Sequence, residues 1–144
     1  MNRSNIFLPV IAAALMSAAA QAGTTLTFVE RAVTDAVIDT GAPGDTAGDL
    51  LAFANPVFDA ANTRQLGTDQ GYCVRTEVGK SWECSWTLTL SGGQIAVAGP
   101  FLDKGDSVLA IIGGTGKYAG ARGQMKLHAR DEKGSEYDFV YTLQ

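Results

Sequence analysis

Apolar residues recur at every second position in run after run of this chain. Trp82, Cys84, Trp86, Leu88 and Leu90 alternate with Glu83, Ser85, Thr87 and Thr89. Met125, Leu127 and Ala129 alternate with Lys126, His128 and Arg130, and Tyr137, Phe139, Tyr141 and Leu143 alternate with Asp138, Val140 and Thr142. Successive side chains of a strand point to opposite faces, so this period describes strands with one face buried. Glycine and polar clusters at 91–93, 104–106 and 133–134 separate the runs and mark turns. The pattern predicts eight strands, at residues 24–31, 50–58, 70–78, 82–90, 94–101, 107–112, 122–131 and 137–143. No segment carries an amphipathic helix period over three turns. Eight short strands at hairpin spacing define an all-β domain, either an up-and-down barrel or a sandwich. A closed eight-stranded barrel has no free edges and leaves an interior just wide enough for a small apolar ligand. The polar, Gly- and Pro-bearing stretch from 31 to 48 reads as a rim loop at a barrel mouth or as a linker.

The first 22 residues follow different rules. Arg3 precedes an almost unbroken apolar run from Ile6 to Ala20, and Ala20-Gln21-Ala22 fits the small-x-small pattern of a signal-peptidase site. At roughly 15 residues the run is shorter than the roughly 20 that span a bilayer. The expected organisation is a cleavable signal peptide at 1–22 and one barrel domain at 23–144. The product is then secreted or periplasmic, with no stable membrane insertion. Removing the leader takes the net charge from −4 to −5, because Arg3 is its only charged residue. A mildly acidic chain without a basic cluster excludes a nucleic-acid binder, which needs concentrated Lys and Arg.

Export would place Cys73 and Cys84 in an oxidising compartment. Folding 71–86 about Val78-Gly79 sets Arg75 opposite Trp82 and Cys73 opposite Cys84, a spacing suited to a disulfide, with two free thiols as the other possibility. Two Cys and one His supply too few soft ligands for a structural zinc site, so no metal is expected. The run Gly114-Thr115-Gly116-Lys117-Tyr118-Ala119 matches the letters of a dinucleotide fingerprint after a strand. Gly120 and Gly123 forbid the helix that motif requires, and Lys117 is followed by Tyr118 rather than Ser or Thr. These glycines read as a tight turn between strands.

The same segment, SVLAIIGGTGKYAGARGQMKLHA, resembles the signature of the allene oxide cyclase family and, more loosely, that of dirigent proteins. GDLLAFANPVFD, GTDQGYCV and IAVAGPFLDKGDS resemble the cyclases in the family's order, so the resemblance spans about 48–143. It implies an eight-stranded antiparallel barrel, a homo-oligomer that is commonly a trimer, and an elongated apolar cavity holding a small hydrophobic ligand without any cofactor. The implied chemistry is cyclisation or isomerisation by confinement: one conformer is held, a carboxylate favours developing positive charge, and an Asn-held water faces the epoxide oxygen. The non-catalytic counterpart is a barrel that only binds such a molecule, or steers coupling as dirigent proteins do.

Carried onto this chain, the resemblance assigns Asn55 to the water-holding Asn and Cys73 to a cavity-lining Cys. Glu30, the only acid of the first strand, is the candidate carboxylate, or else a solvated strand-end acid. The family's Ser-Pro pair and second Asn have no counterpart here. If Cys73 points inward, period two sends Arg75 and Glu77 inward as well, with Trp82, Cys84 and Trp86 on the same face of the next strand. Two tryptophans and a charged pair then line a pocket with a polar end, or fill the core with the Arg–Glu pair satisfying itself.

Overall fold

The computed structural model describes residues 23–144; the expected leader and its cleavage site lie outside the described residues. Nine strands form one sheet: β1 (Thr24–Arg31), β2 (Ala36–Ile38), β3 (Leu50–Asp59), β4 (Gln65–Glu77), β5 (Ser81–Leu90), β6 (Gly93–Leu102), β7 (Ser107–Gly114), β8 (Gly123–Ala129) and β9 (Glu136–Leu143). All neighbours are antiparallel, in the order β1-β9-β8-β7-β6-β5-β4-β3, and β1 pairs back onto β3. The result is the closed eight-stranded barrel, not the sandwich. Strands β3 to β9 follow one another as hairpins, so their register is set locally by short turns. As far as Arg75 the β4–β5 register is the one read from the sequence, with Arg75 opposite Trp82 and Cys73 opposite Cys84, and the two cysteines form a disulfide; Glu77, expected opposite Lys80, stands opposite Ser81.

Closure is made differently. Strand β1 covers only Val57–Asp59 of β3, and the short β2 covers Leu50–Ala52 further along the same edge. Residues 53–56 lie in the gap, where side chains replace the ladder. Thr34 Oγ1 accepts the Ala54 N–H at 2.7 Å, and Asn55 Oδ1 accepts the N–H groups of Val33 and Thr34 at 3.0 and 2.9 Å. Pro56 follows two residues after Ala54, so its missing N–H faces this same gap, where no ladder partner is needed. The stretch from 31 to 48 is therefore a rim element containing β2, not a linker. Asp49 ties it down by accepting the backbone N–H of Thr40 and Thr46.

The inward faces carry the core: Phe28, Leu88, Ile95, Val97, Leu109, Ile111, Met125, Leu127, Phe139 and Tyr141 are all buried. Trp86 stacks on Phe139 with centroids 5.7 Å apart, and Phe139 meets Tyr141 edge-on. The glycine-rich turn after β7 becomes a single 3-10 turn, Gly116–Tyr118, whose buried Tyr118 joins the core cluster. Gly116 has φ +59, and a Cβ there would collide with the Gly92 carbonyl oxygen, so both backbone and space call for glycine.

Candidate functional site

A cavity opens between the rim residues and the core layer. Its wall includes Glu30, Phe53, Trp86, Tyr137 and Phe139, with the Cys73–Cys84 bridge forming part of one side. The space between the side chains, mouth included, is about 340 Å³, of which about 30 Å³ admits the centre of a water molecule. A water needs roughly 10–15 Å³ of the second kind, so the cavity is a narrow slot, with fully enclosed room for about two or three waters. A wider, more open cleft between the β6–β7 and β8–β9 loops, with about 810 Å³ between its side chains on the first measure, adjoins it and shares Phe101, Leu127 and Tyr137.

Glu30 and Asn55 are 25 residues apart and meet because β1 closes onto β3. Asn55 Nδ2 donates to Glu30 Oε1 at 2.6 Å and to Asp35 Oδ1 at 2.7 Å. Its Oδ1 accepts three bonds, from the Val33 and Thr34 N–H groups and from the Thr34 hydroxyl at 2.9 Å. The amide orientation is therefore fixed, since a flipped amide would point its hydrogens at three donors. Every hydrogen-bonding position of Asn55 is engaged by protein. Its placement is that of a residue that holds Glu30 and seals the seam.

Glu30 is 5% exposed. Burial raises its pKa to about 7 against the bond from Asn55, with the nearby Asp35 charge raising it further. A carboxyl poised there can carry a proton in either direction at neutral pH. A third acid, Asp69 on β4, faces the interior directly opposite Asn55 and is fully buried. Desolvation, reinforced by the Glu30 charge, pushes it to about 9. Among the described residues no group of His, Cys, Asp or Glu is placed to hold a metal ion.

The other sequence-derived candidates divide. Cys73, Cys84 and Trp86 face the cavity, whereas Trp82 is buried in the core without lining it. Arg75 points inward but does not line the cavity. Its Nε and Nη2 form a forked pair with Asp45 at 2.5 and 2.6 Å, its Nη1 reaches Asp103 at 2.6 Å, and its guanidinium lies over Trp82. Glu77 departs from the alternation. The register shifts between Arg75 and Glu77, and the bulge turns Glu77 out to solvent, where it pairs with Lys80. The expected Arg75–Glu77 pair is thus not formed. Asp69 is not singled out by the sequence reading, although stepping back by twos from Cys73 passes through Gly71 to Asp69.

The sequence profile of allene oxide cyclases matches residues 30–131, and the chain belongs to the allene oxide cyclase family. Among solved structures it is similar to a pyocyanin demethylase, at 26% identity and TM-score 0.71, covering 82% of this chain and 100% of that one. A pterocarpan synthase dirigent protein shares the fold at 17% identity and TM-score 0.66, covering 84% of this chain and 92% of the other. An exo-specific intermolecular Diels-Alderase does so at 14% identity and TM-score 0.68, covering 85% and 98%.

Proposed function

We propose that this barrel is a cofactor-free isomerase or cyclase that confines a small apolar molecule and manages one proton or one developing charge with Glu30. The carrying observation is the Glu30 carboxyl, buried in an aromatic slot and held by Asn55 at 2.6 Å. Burial makes its proton affinity match neutral pH, and low polarity around it strengthens its field on a bound molecule. The slot supplies the rest by holding one conformer and excluding water. Family membership and the cycloaddition, demethylation and dirigent proteins of the same fold support a barrel acting on small molecules.

Asn55 acts on this reading as a positioning residue, since its full set of protein partners leaves no position to hold a water. That difference, with the missing Ser-Pro pair, favours a dirigent-like or purely binding barrel as the second reading. The two separate in one experiment. The protein is incubated with an allene-oxide-generating enzyme and the chirality of the cyclopentenone is measured. Enantiomeric excess that falls about 100-fold in rate with Glu30→Gln supports the cyclase. A racemic product at the spontaneous rate sinks that specific reaction.

We further infer export and assembly. The Cys73–Cys84 bridge supports an oxidising compartment. Exposed Tyr72, beside Ala52 and Ala36 on the outer face of β2–β3–β4, supports the trimer that the family resemblance implies. Native mass spectrometry of the exported protein reads the mature N-terminus, the copy number and any retained ligand together.

A further inference from the structure

Two carboxyl groups line the slot with no cation beside them. Asn55 Nδ2 donates one hydrogen to Glu30 Oε1 at 2.6 Å and the other to Asp35 Oδ1 at 2.7 Å, so a single amide nitrogen holds both acids side by side. The second oxygen of each has no hydrogen-bonding partner among the described residues, and Glu30 Oε2 is not sealed in as the Asp69 oxygens are. The titratable groups that act on Glu30 or feel its charge are all acidic: Asp35 beyond β1, Asp69 on β4, and the Tyr137 and Tyr141 hydroxyls on β9. No Lys, Arg or His lines the slot. The nearest cations are engaged elsewhere, Arg75 by Asp45 and Asp103 and Arg31 by Asn62 and the Phe58 ring. The rest of the wall is aromatic. Phe53 meets Trp86 at 70° and Phe101 meets Tyr137 at 79°, so rings turn corners around the space.

We propose that the slot and its adjoining cleft bind an organic ammonium compound, whose charged head of about two or three heavy atoms enters the slot against Glu30 and Asp35 while its body lies in the cleft. This rests on the confinement reading above and gives the confined molecule its charge. An ammonium N–H donates to Glu30 Oε2 in a charge-assisted bond, and the rest of the head meets aromatic rings, whose faces attract cations. An anionic head would meet two carboxyl groups and no cationic partner. A bare metal ion would lack ligands, since no group of His, Cys, Asp or Glu among the described residues is placed to hold one. The cleft suits the body, because Phe101, Leu102, Leu127, Ala129 and Tyr137 supply apolar surface there. On its lip Lys133 is outnumbered by Asp131 and Glu132, so the approach is acidic and steers a cation inward. A bound cation favours the ionised form of Glu30, whose pKa of about 7 lets neutral pH set how much of it is charged beforehand.

The test titrates benzylammonium, benzyl alcohol and benzoate into the protein by NMR, following the Trp86 indole N–H signal. The wild type is expected to prefer benzylammonium to the alcohol by at least about tenfold near pH 8, with benzoate weakest. The preference should narrow near pH 6, where Glu30 holds its proton and the amine stays charged. Glu30→Gln, which can still accept from Asn55, should lower benzylammonium affinity about tenfold, remove the pH dependence and change the alcohol far less. Asp35→Asn should weaken the ammonium by a smaller factor and keep the pH dependence; if Glu30→Gln fails to fold, this variant and the wild-type pH profile carry the test. Alcohol affinity equal to or above that of benzylammonium, or an ammonium preference that survives Glu30→Gln, overturns the ammonium site and leaves confinement standing. If none of the three shifts the Trp86 signal, confinement falls and the ammonium site falls with it.

Discussion

The inward face of β4 carries Asp69 near one end and Arg75 near the other, with Gly71 and the bridged Cys73 between them. Both end residues are buried ionisable groups, yet their surroundings are opposite. Arg75 has two carboxylates and an indole face, which hold it charged and pin the 39–48 loop to the β6–β7 turn. Asp69 has no cation near it, shares its interior with Glu30, and is driven to its neutral form. A fully paired buried charge is a structural clamp, because moving either partner exposes an uncompensated charge. An acid enclosed in the interior without a cation keeps its proton instead. One strand thus joins a charged rim fastener to a neutral buried acid, and the difference between them lies in their partners.

Substitutions can break this contrast in graded steps. The largest loss is expected from Asn55→Leu, which strips three donors of their acceptor at the seam and should cost about 4 kcal/mol in urea unfolding. Activity should fall along with it, since Glu30 loses its anchor. Arg75→Ala should cost about 3 kcal/mol and raise amide exchange in the 39–48 loop, whereas ligand binding in the slot should change little. A loss of binding as large as that of Asn55→Leu would show the two regions to be one unit. Reducing the Cys73–Cys84 bridge should cost about 2 kcal/mol, less than loop entropy alone suggests because the β4–β5 ladder already constrains the hairpin.

Asp69→Asn acts in the opposite direction, raising stability at neutral pH, and has the most specific signature. In the unfolded chain Asp69 and Glu30 titrate near 3.8 and 4.5; in the barrel they do so at about 9 and about 7. The folded state therefore keeps protons that the unfolded state releases, and stability falls as pH rises from about 4 to about 9. Asp69→Asn should flatten that slope, leaving stability below about pH 4 unchanged and raising it progressively from there to about pH 9. Thermal unfolding across that range reads it directly. A wild-type stability that climbs with pH through this window would mean the acid is not held neutral.

Much of the barrel is visible in the alternation because hairpins are local. Trp82 to Leu90 declares its inward face residue by residue, and Cys73 with Cys84 follows from counting outward from a two-residue turn. Glu77 defeats the same rule because a bulge adds one residue and reverses every side chain beyond it. Strand β2 escapes notice because three exposed residues among polar neighbours have no period to display. The site is harder still. Glu30 and Asn55 could be singled out by family resemblance, while their contact with one another is not a local property.

Residue order by itself determined which side chains face inward on most strands, which strands are neighbours, and which cysteines pair, since each depends on a period of two and a short turn. Tertiary structure alone decided that β1 closes on β3 with a gap, that Asn55 fills it while gripping Glu30, and that Asp69 is fully buried on the strand opposite Asn55. Closure sums the tilt and stagger of all eight strands, so the partners it brings together depend on every register at once. The proton affinities follow from that same enclosure, because desolvation belongs to the barrel interior and to no single residue.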